Sequence, residues 1–172
     1  GSCGFDIVTG PEEDVLARFA MAARQYNPDT IVRATGDNPL VSPLLAEKII
    51  EIHLRTSADY SGLLGMPLGT GVEVLKTEQL YRAERESSDP YEHEHVSPFI
   101  YRRDNRFLVV RPRVSRNYYL PNSRVTLDTR EDYDFLVRIF KALYRGEPIE
   151  ISELIQWLKQ NQRTKTLHQI TT

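Results

Sequence analysis

Two stretches of the chain end alike. Ile31 to Asp37 reads IVRATGD, and Arg124 to Asp128 reads RVTLD. Each runs through β-favouring residues into an aspartate. In an open α/β sheet, ligands gather beyond the carboxyl ends of the strands. If the two strands are neighbours, Asp37 and Asp128 meet at that edge. Two such carboxylates, with water and substrate phosphates, are a usual way to hold Mg²⁺. The alternative is that each aspartate caps the turn or helix that follows it. Arg33 and Arg124 lie on the same two stretches. A guanidinium fork suits phosphate or carboxylate, and it equally covers a sheet edge as a solvated charge.

A second group is YEHEHVSP, with His93 and His95 beside Glu92 and Glu94. Histidines at i and i+2 face opposite sides of a strand and do not share a helix face. No cysteine or other nearby histidine completes four ligands, so structural zinc is not expected. A hydrogen bond from His95 to a polar substrate fits better; the plainer alternative is a capping role for Glu94. From Tyr101 to Arg124 there are seven arginines (102, 103, 106, 111, 113, 116 and 124) against the single acid Asp104, and Tyr118 and Tyr119 adjoin them. A basic and aromatic run can mean nucleic acid, but no nucleic-acid motif accompanies it. A phosphate-rich pocket or an acidic partner surface accounts for it as well.

These residues need elements to position them. The pattern predicts a strand over Phe5 to Thr9, a helix opening at Pro11, a strand over Thr30 to Ala34, and a helix capped at Ser42-Pro43. Strand–helix–strand–helix order marks an α/β sheet with crossovers. Gly62 to Gly71 reads as an irregular loop and Gly71 to Leu75 as a short strand. A helix begins at Thr77, and EHVSPFIYRR gives another short one. Phe107 to Val114 reads as an extended strand at an edge, because Pro112 lacks a donor. Ser123 to Thr129 is the third strong strand. Thr129 then caps a helix over Arg130 to Tyr144, and a last amphipathic helix runs from Ser152 to about Gln160. The chain reads as one α/β domain over residues 1–160 with a polar tail over 161–172.

A chain of 172 residues suits one domain with a real core. Its net charge of −2 gives no global pull toward nucleic acid or membrane. No apolar run approaches the roughly 20 residues that span a bilayer, and no basic-then-apolar leader opens the sequence. The lone Cys3 excludes an internal disulfide, which is compatible with a reducing cytoplasm. A cytoplasmic protein that engages neither membrane nor nucleic acid is expected.

EEDVLARF, IVRATGDNPLVSP, ADY, GTGVEVL, DPYEHEHVSPFIY and RVTLDTREDYDFL occur in that order. Together they resemble the cytidylyltransferase family of spore coat polysaccharide biosynthesis protein F. That family is similar in turn to the acylneuraminate and 3-deoxy-manno-octulosonate cytidylyltransferases. The resemblance covers about Phe5 to Leu158. It implies a Rossmann-like nucleotidyltransferase fold with a mixed sheet. It implies transfer from CTP to a sugar hydroxyl, giving CMP-sugar and pyrophosphate for surface polysaccharide or glycan synthesis. It implies Mg²⁺ on Asp37 and Asp128, Arg33 beside nucleotide and sugar, and substrate binding by Gly71, Glu73, His95 and Arg124. It also implies a homodimer whose contacts come from residues 77–124. The family's opening strand and Gly-rich phosphate loop have no counterpart in this chain. That departure leaves open a non-catalytic descendant that binds a sugar or a partner, or a related glycosyltransferase.

Overall fold

The computed structural model describes residues 4–161. These residues form two compact units. Among them, one comprises 4–32, 53–61 and 74–110; the other comprises 33–52, 62–73 and 111–161.

The first unit is built on helix α1 (Val15–Tyr26). Asp14 caps it, accepting from the Ala17 N–H at 2.8 Å. Asn27 ends it in the left-handed region, where its N–H reaches the Ala23 carbonyl. The helix buries Leu16, Ala20 and Ala23, one stripe at i, i+4 and i+7. Against it lie α3 (Thr77–Glu86) and α4 (Pro90–His95), followed by α5 (Pro98–Tyr101). The core adds Tyr60, Leu75, Leu80, Val96, Phe99, Ile100 and Phe107. Each such side chain contributes about 1.5–3 kcal/mol by leaving water.

A four-stranded sheet has the order β1-β3-β2-β4, with β1 at Thr30–Arg33, β2 at Tyr60–Gly62, β3 at Glu73–Lys76 and β4 at Val109–Val110. β2 and β4 are parallel, pairing Tyr60 with Val109 and Ser61 with Val110. The Thr77 N–H donates to the Asp29 carbonyl and the Lys76 N–H to the Asp59 carbonyl. The end of β3 therefore meets the starts of β1 and β2, so β3 runs against both neighbours and the sheet is mixed. Asp59 is the anchor at that end. Its carboxylate accepts from the Leu108 N–H at 2.8 Å, Lys76 at 3.1 Å and Gln79 at 3.2 Å.

Between α4 and α5 the chain turns at Val96, whose φ is 70° and ψ −60°. The Ser97 N–H reaches back to the His95 carbonyl at 2.8 Å. This is a γ-turn of the rare positive-φ kind, centred on a β-branched residue with no exposed surface. Such a backbone costs on the order of 1–3 kcal/mol and persists only where its surroundings enforce it. Here the enforcement comes from Val96 itself, seated in the core, and from buried Glu92, which accepts from Arg103 at 2.6 Å and Ser87 at 2.5 Å.

The second unit carries α2 (Pro43–Thr56) up to residue 52, α6 (Arg130–Leu143) and α7 (Ile151–Gln160). α6 and α7 pack on one another, with the Phe135 and Trp157 rings 5.7 Å apart.

Several sequence expectations are corrected. Phe5 to Thr9 is no strand: Phe5 and Ile7 are 75% and 74% exposed, and β-propensity acts through a pleated, half-buried surface that this stretch does not provide. The first helix opens at Val15 rather than Pro11. The strand expected over Phe107 to Val114 shortens to Val109–Val110, with an isolated bridge from Arg113 to Leu64. Ser123 to Thr129 forms a single bridge among the described residues, Arg124 to Leu68. Its backbone divides its hydrogen bonds between two loops: Leu68 on one side and Asp37 on the other. β2 was not expected, and only its last residue, Gly62, falls in the stretch read as loop; EHVSPFIYRR spans two short helices rather than one. From residue 162 onward the polar tail lies outside the described residues.

Candidate active site

The site is built from the segment after β1. Thr35-Gly36-Asp37-Asn38 forms a turn, with the Asn38 N–H on the Thr35 carbonyl at 3.1 Å. The Asn38 amide clamps it, donating to Thr35 Oγ1 at 2.7 Å. The turn holds Asp37 out to solvent. Its carbonyl accepts from the Leu127 N–H at 2.7 Å. That bond ties the backbone of Asp37 to the residue before Asp128, so the two carboxylates stand on adjoining segments.

Asp128 is half-exposed. Its Oδ2 accepts from Thr126 Oγ1 at 2.8 Å and forms an ion pair with Arg124. Arg124 also reaches Asp132 at 3.5 Å. Asp132 is 4% exposed and belongs to the N-terminal box of α6. Thr129 Oγ1 accepts from the Asp132 N–H, and the Asp132 carboxylate accepts from the Thr129 N–H.

At the end of β1, Arg33 meets Glu73 at the start of β3, Nη1 to Oε2 at 2.7 Å, both side chains half-buried. The antiparallel run of β3 explains the pairing, since its first residue lies across from the last residue of β1. Two residues earlier, a Cβ on Gly71 would lie 2.2 Å from the Met66 Cε, so Gly71 keeps its loop close against Met66. Gly69, with φ of 96°, lets the same loop approach the Val125–Thr126 backbone within 3.1 Å of an added Cβ.

His95 belongs to the first unit, at the end of α4. Its ring lies 4.1 Å from that of Tyr91, and the Arg102 guanidinium stands 4.4 Å from the centre of the same Tyr91 ring. His93 is engaged at both nitrogens, by Asp14 Oδ2 at 2.9 Å and the Ser87 carbonyl at 3.2 Å. Both partners accept, so the charged imidazolium satisfies them best. The Asp14 bond, and then the Ser87 carbonyl, hold its pKa above the ordinary histidine value.

The residues at Asp37 and Asp128 fit a magnesium ion in their chemistry. They offer hard oxygen donors at the surface, and the buried Asn38 Oδ1 beside them lacks a hydrogen-bond partner. Among the described residues no three His, Cys, Asp or Glu side chains gather into a protein cage. Two carboxylates completed by water and substrate phosphates is the arrangement Mg²⁺ accepts.

Sequence reasoning missed Asp132 and Thr126 as parts of this site. The box pattern Thr-x-x-Asp over 129–132 was the available signal for the first. Nothing local announces the second.

Comparison with known proteins assigns the chain to a family. The chain belongs to the cytidylyltransferase family, whose model matches residues 1–168. It is 33% identical to the spore coat polysaccharide biosynthesis protein SpsF of Bacillus subtilis over 160 residues, 92% of this chain and 66% of that protein. It is also 33% identical to an uncharacterised protein of Methanocaldococcus jannaschii over 167 residues, 97% of this chain and 68% of the relative. The chain thus spans about two thirds of the length of these relatives. A solved cytidylyltransferase structure from Leptospira borgpetersenii superposes with a TM-score of 0.85 at 23% identity, covering 99% of this chain and 73% of the other. That likeness establishes the fold: the mixed-sheet α/β nucleotidyltransferase expected from the sequence. Among the described residues no helix is long and apolar enough to cross a membrane.

Proposed function

We propose that the protein containing this chain joins CTP to a sugar hydroxyl, giving a CMP-sugar and pyrophosphate for surface polysaccharide synthesis in the cytoplasm. The observation that carries this reading is the Leu127–Asp37 backbone bond at 2.7 Å, which sets Asp37 and Asp128 on adjoining segments beyond β1. In the reaction the sugar oxygen bonds to the α-phosphorus of CTP. The bond from that phosphorus to the bridging oxygen breaks, and the hydroxyl proton leaves to solvent.

Asp37 and Asp128 would hold Mg²⁺, which draws charge from the α-phosphate and the departing pyrophosphate. Asp37 is the open ligand and Asp128 the one already engaged. Arg33 orients Glu73, whose carboxylate accepts from sugar hydroxyls. Gly71, packed against Met66, would meet the ligand through its backbone beside Glu73. His95, stacked on Tyr91, donates to the sugar. Arg124 meets phosphate oxygens once it is free of Asp128. Residues 77–124 form the surface of a homodimer.

The test is pyrophosphate release by the full-length protein with CTP, against ATP, GTP and UTP, across a panel of acidic and neutral sugars. CTP-dependent release with one sugar class is the expected result. No release with any sugar would refute the reading and favour a binding protein on the same fold.

A further inference from the structure

Asp132 was not among the residues expected to matter for binding, yet it sits where the site's charges converge. It is a buried carboxylate, 4% exposed. One of its oxygens, Oδ2, accepts from the Thr129 N–H at 3.1 Å, Thr129 Oγ1 at 3.0 Å and the Asp128 N–H at 3.3 Å. The same oxygen lies 3.5 Å from Arg124 Nη2. A helix cap needs only the first of these. The contact to the Asp128 N–H fixes the backbone of the candidate ligand itself. The contact to Arg124 gives that guanidinium a second anionic partner besides Asp128.

The backbone of Arg124 is anchored, so its guanidinium pivots locally between Asp128, Asp132 and an incoming phosphate. Its own backbone is bridged to Leu68, with the Leu68 N–H on the Ser123 carbonyl and the Val125 N–H on the Leu68 carbonyl, both at 2.8 Å. Its Nε contacts Thr126 Oγ1, which in turn donates to Asp128. When a cation approaches Asp128, the guanidinium must be displaced from that carboxylate, because like charges at contact distance repel. Asp132 is the neighbouring acceptor that can retain it.

We propose that Asp132 is a positioning residue of the Asp128 cation site: it aims the Asp128 backbone and holds Arg124 as a cation displaces that arginine from the Asp128 carboxylate. This inference rests on the reading of Asp37 and Asp128 as cation ligands. Without the charge of Asp132, Arg124 stays on Asp128 and competes with the cation. Removing Arg124 as well removes the competitor. A residue that served only as a helix cap would show no such rescue.

The experiment measures Mn²⁺ binding by electron paramagnetic resonance on the full-length protein, with Tm followed in parallel. Asp132→Asn retains a side-chain acceptor for the cap, and is expected to weaken Mn²⁺ about fivefold or more. The double variant Asp132→Asn with Arg124→Gln is expected to return to within about twofold of the wild type, at a Tm close to that of Asp132→Asn alone. Unchanged Mn²⁺ affinity in Asp132→Asn overturns the proposal, and so does a double variant that binds as weakly as the single one. Asp37→Asn separates the two levels of the argument. Mn²⁺ bound equally by wild type and Asp37→Asn sinks the cation site itself, whereas loss in Asp37→Asn with no effect of Asp132→Asn sinks only the role of Asp132.

Discussion

At the scale of single residues, Asp37 and His93 make opposite uses of charge. Asp37 sits in an exposed turn with its carboxylate turned to no described partner, while its carbonyl is spent on Leu127. Asp37→Asn preserves that backbone bond and the turn. It is expected to leave the fold intact and lower turnover by about 10²-fold or more, since a neutral amide holds Mg²⁺ poorly. Steady-state pyrophosphate release, with circular dichroism as the folding control, checks this. His93 instead spends its charge on stability. Its pKa is raised by Asp14 and the Ser87 carbonyl, so its contribution is fully present below the unfolded value of about 6.5 and is lost as pH rises through the folded value. Burial, and then Lys76, lower the pKa of His53, against Asp59; that group stabilises above about pH 6.5 and loses its contribution as pH falls. Tm measured across pH 5.5 to 8.5 should therefore decline less on the alkaline side in His93→Gln than in the wild type. An identical alkaline slope in the two proteins would contradict the His93 assignment.

At the scale of elements, α6 is the one the site depends on. Thr129 caps it and Asp132 closes the box. Thr129→Ala is expected to cost about 1 kcal/mol, within the usual range for a lost cap, read as a lower urea midpoint with an unchanged m-value. In α1, Leu16→Ala, at a position with no exposure, should cost about 2–5 kcal/mol. These helices were legible in the sequence because capping and 3.6-residue periodicity are local signals. Ser42-Pro43 and Thr129 marked the starts of α2 and α6 correctly. The sheet was less legible. A strand exists only through its partners, and the pairing of Glu73 with Arg33 or of Leu68 with Arg124 joins residues far apart in sequence. Ser123 to Thr129 carries strand propensity but meets two loops rather than one strand. Asp37 was visible because glycine and proline punctuate its turn; Thr126 was not, because a threonine in an extended run has no distinguishing pattern.

At the scale of the whole molecule, the family assignment rests on a match along nearly the full chain, and the open question is assembly. β4 lies at one edge of the sheet, inside the segment 77–124 that the dimer reading nominates. Leu108 and Tyr91 in that segment are exposed, and tyrosine and arginine are enriched at interfaces. Multi-angle light scattering of the full-length protein should give twice the monomer mass at micromolar concentration. A monomer there, or a dimer unaffected by Leu108→Glu, would exclude this surface.

The γ-turn at Val96 also bears on how this sequence can drift. Most replacements must adopt the same left-handed backbone and inherit its cost of about 1–3 kcal/mol. Glycine escapes that cost but surrenders a fully buried side chain, a loss of about 1.5–3 kcal/mol. Neither exit is downhill by much, and polar residues face the added penalty of burial. Position 96 is thus a near dead end for neutral substitution.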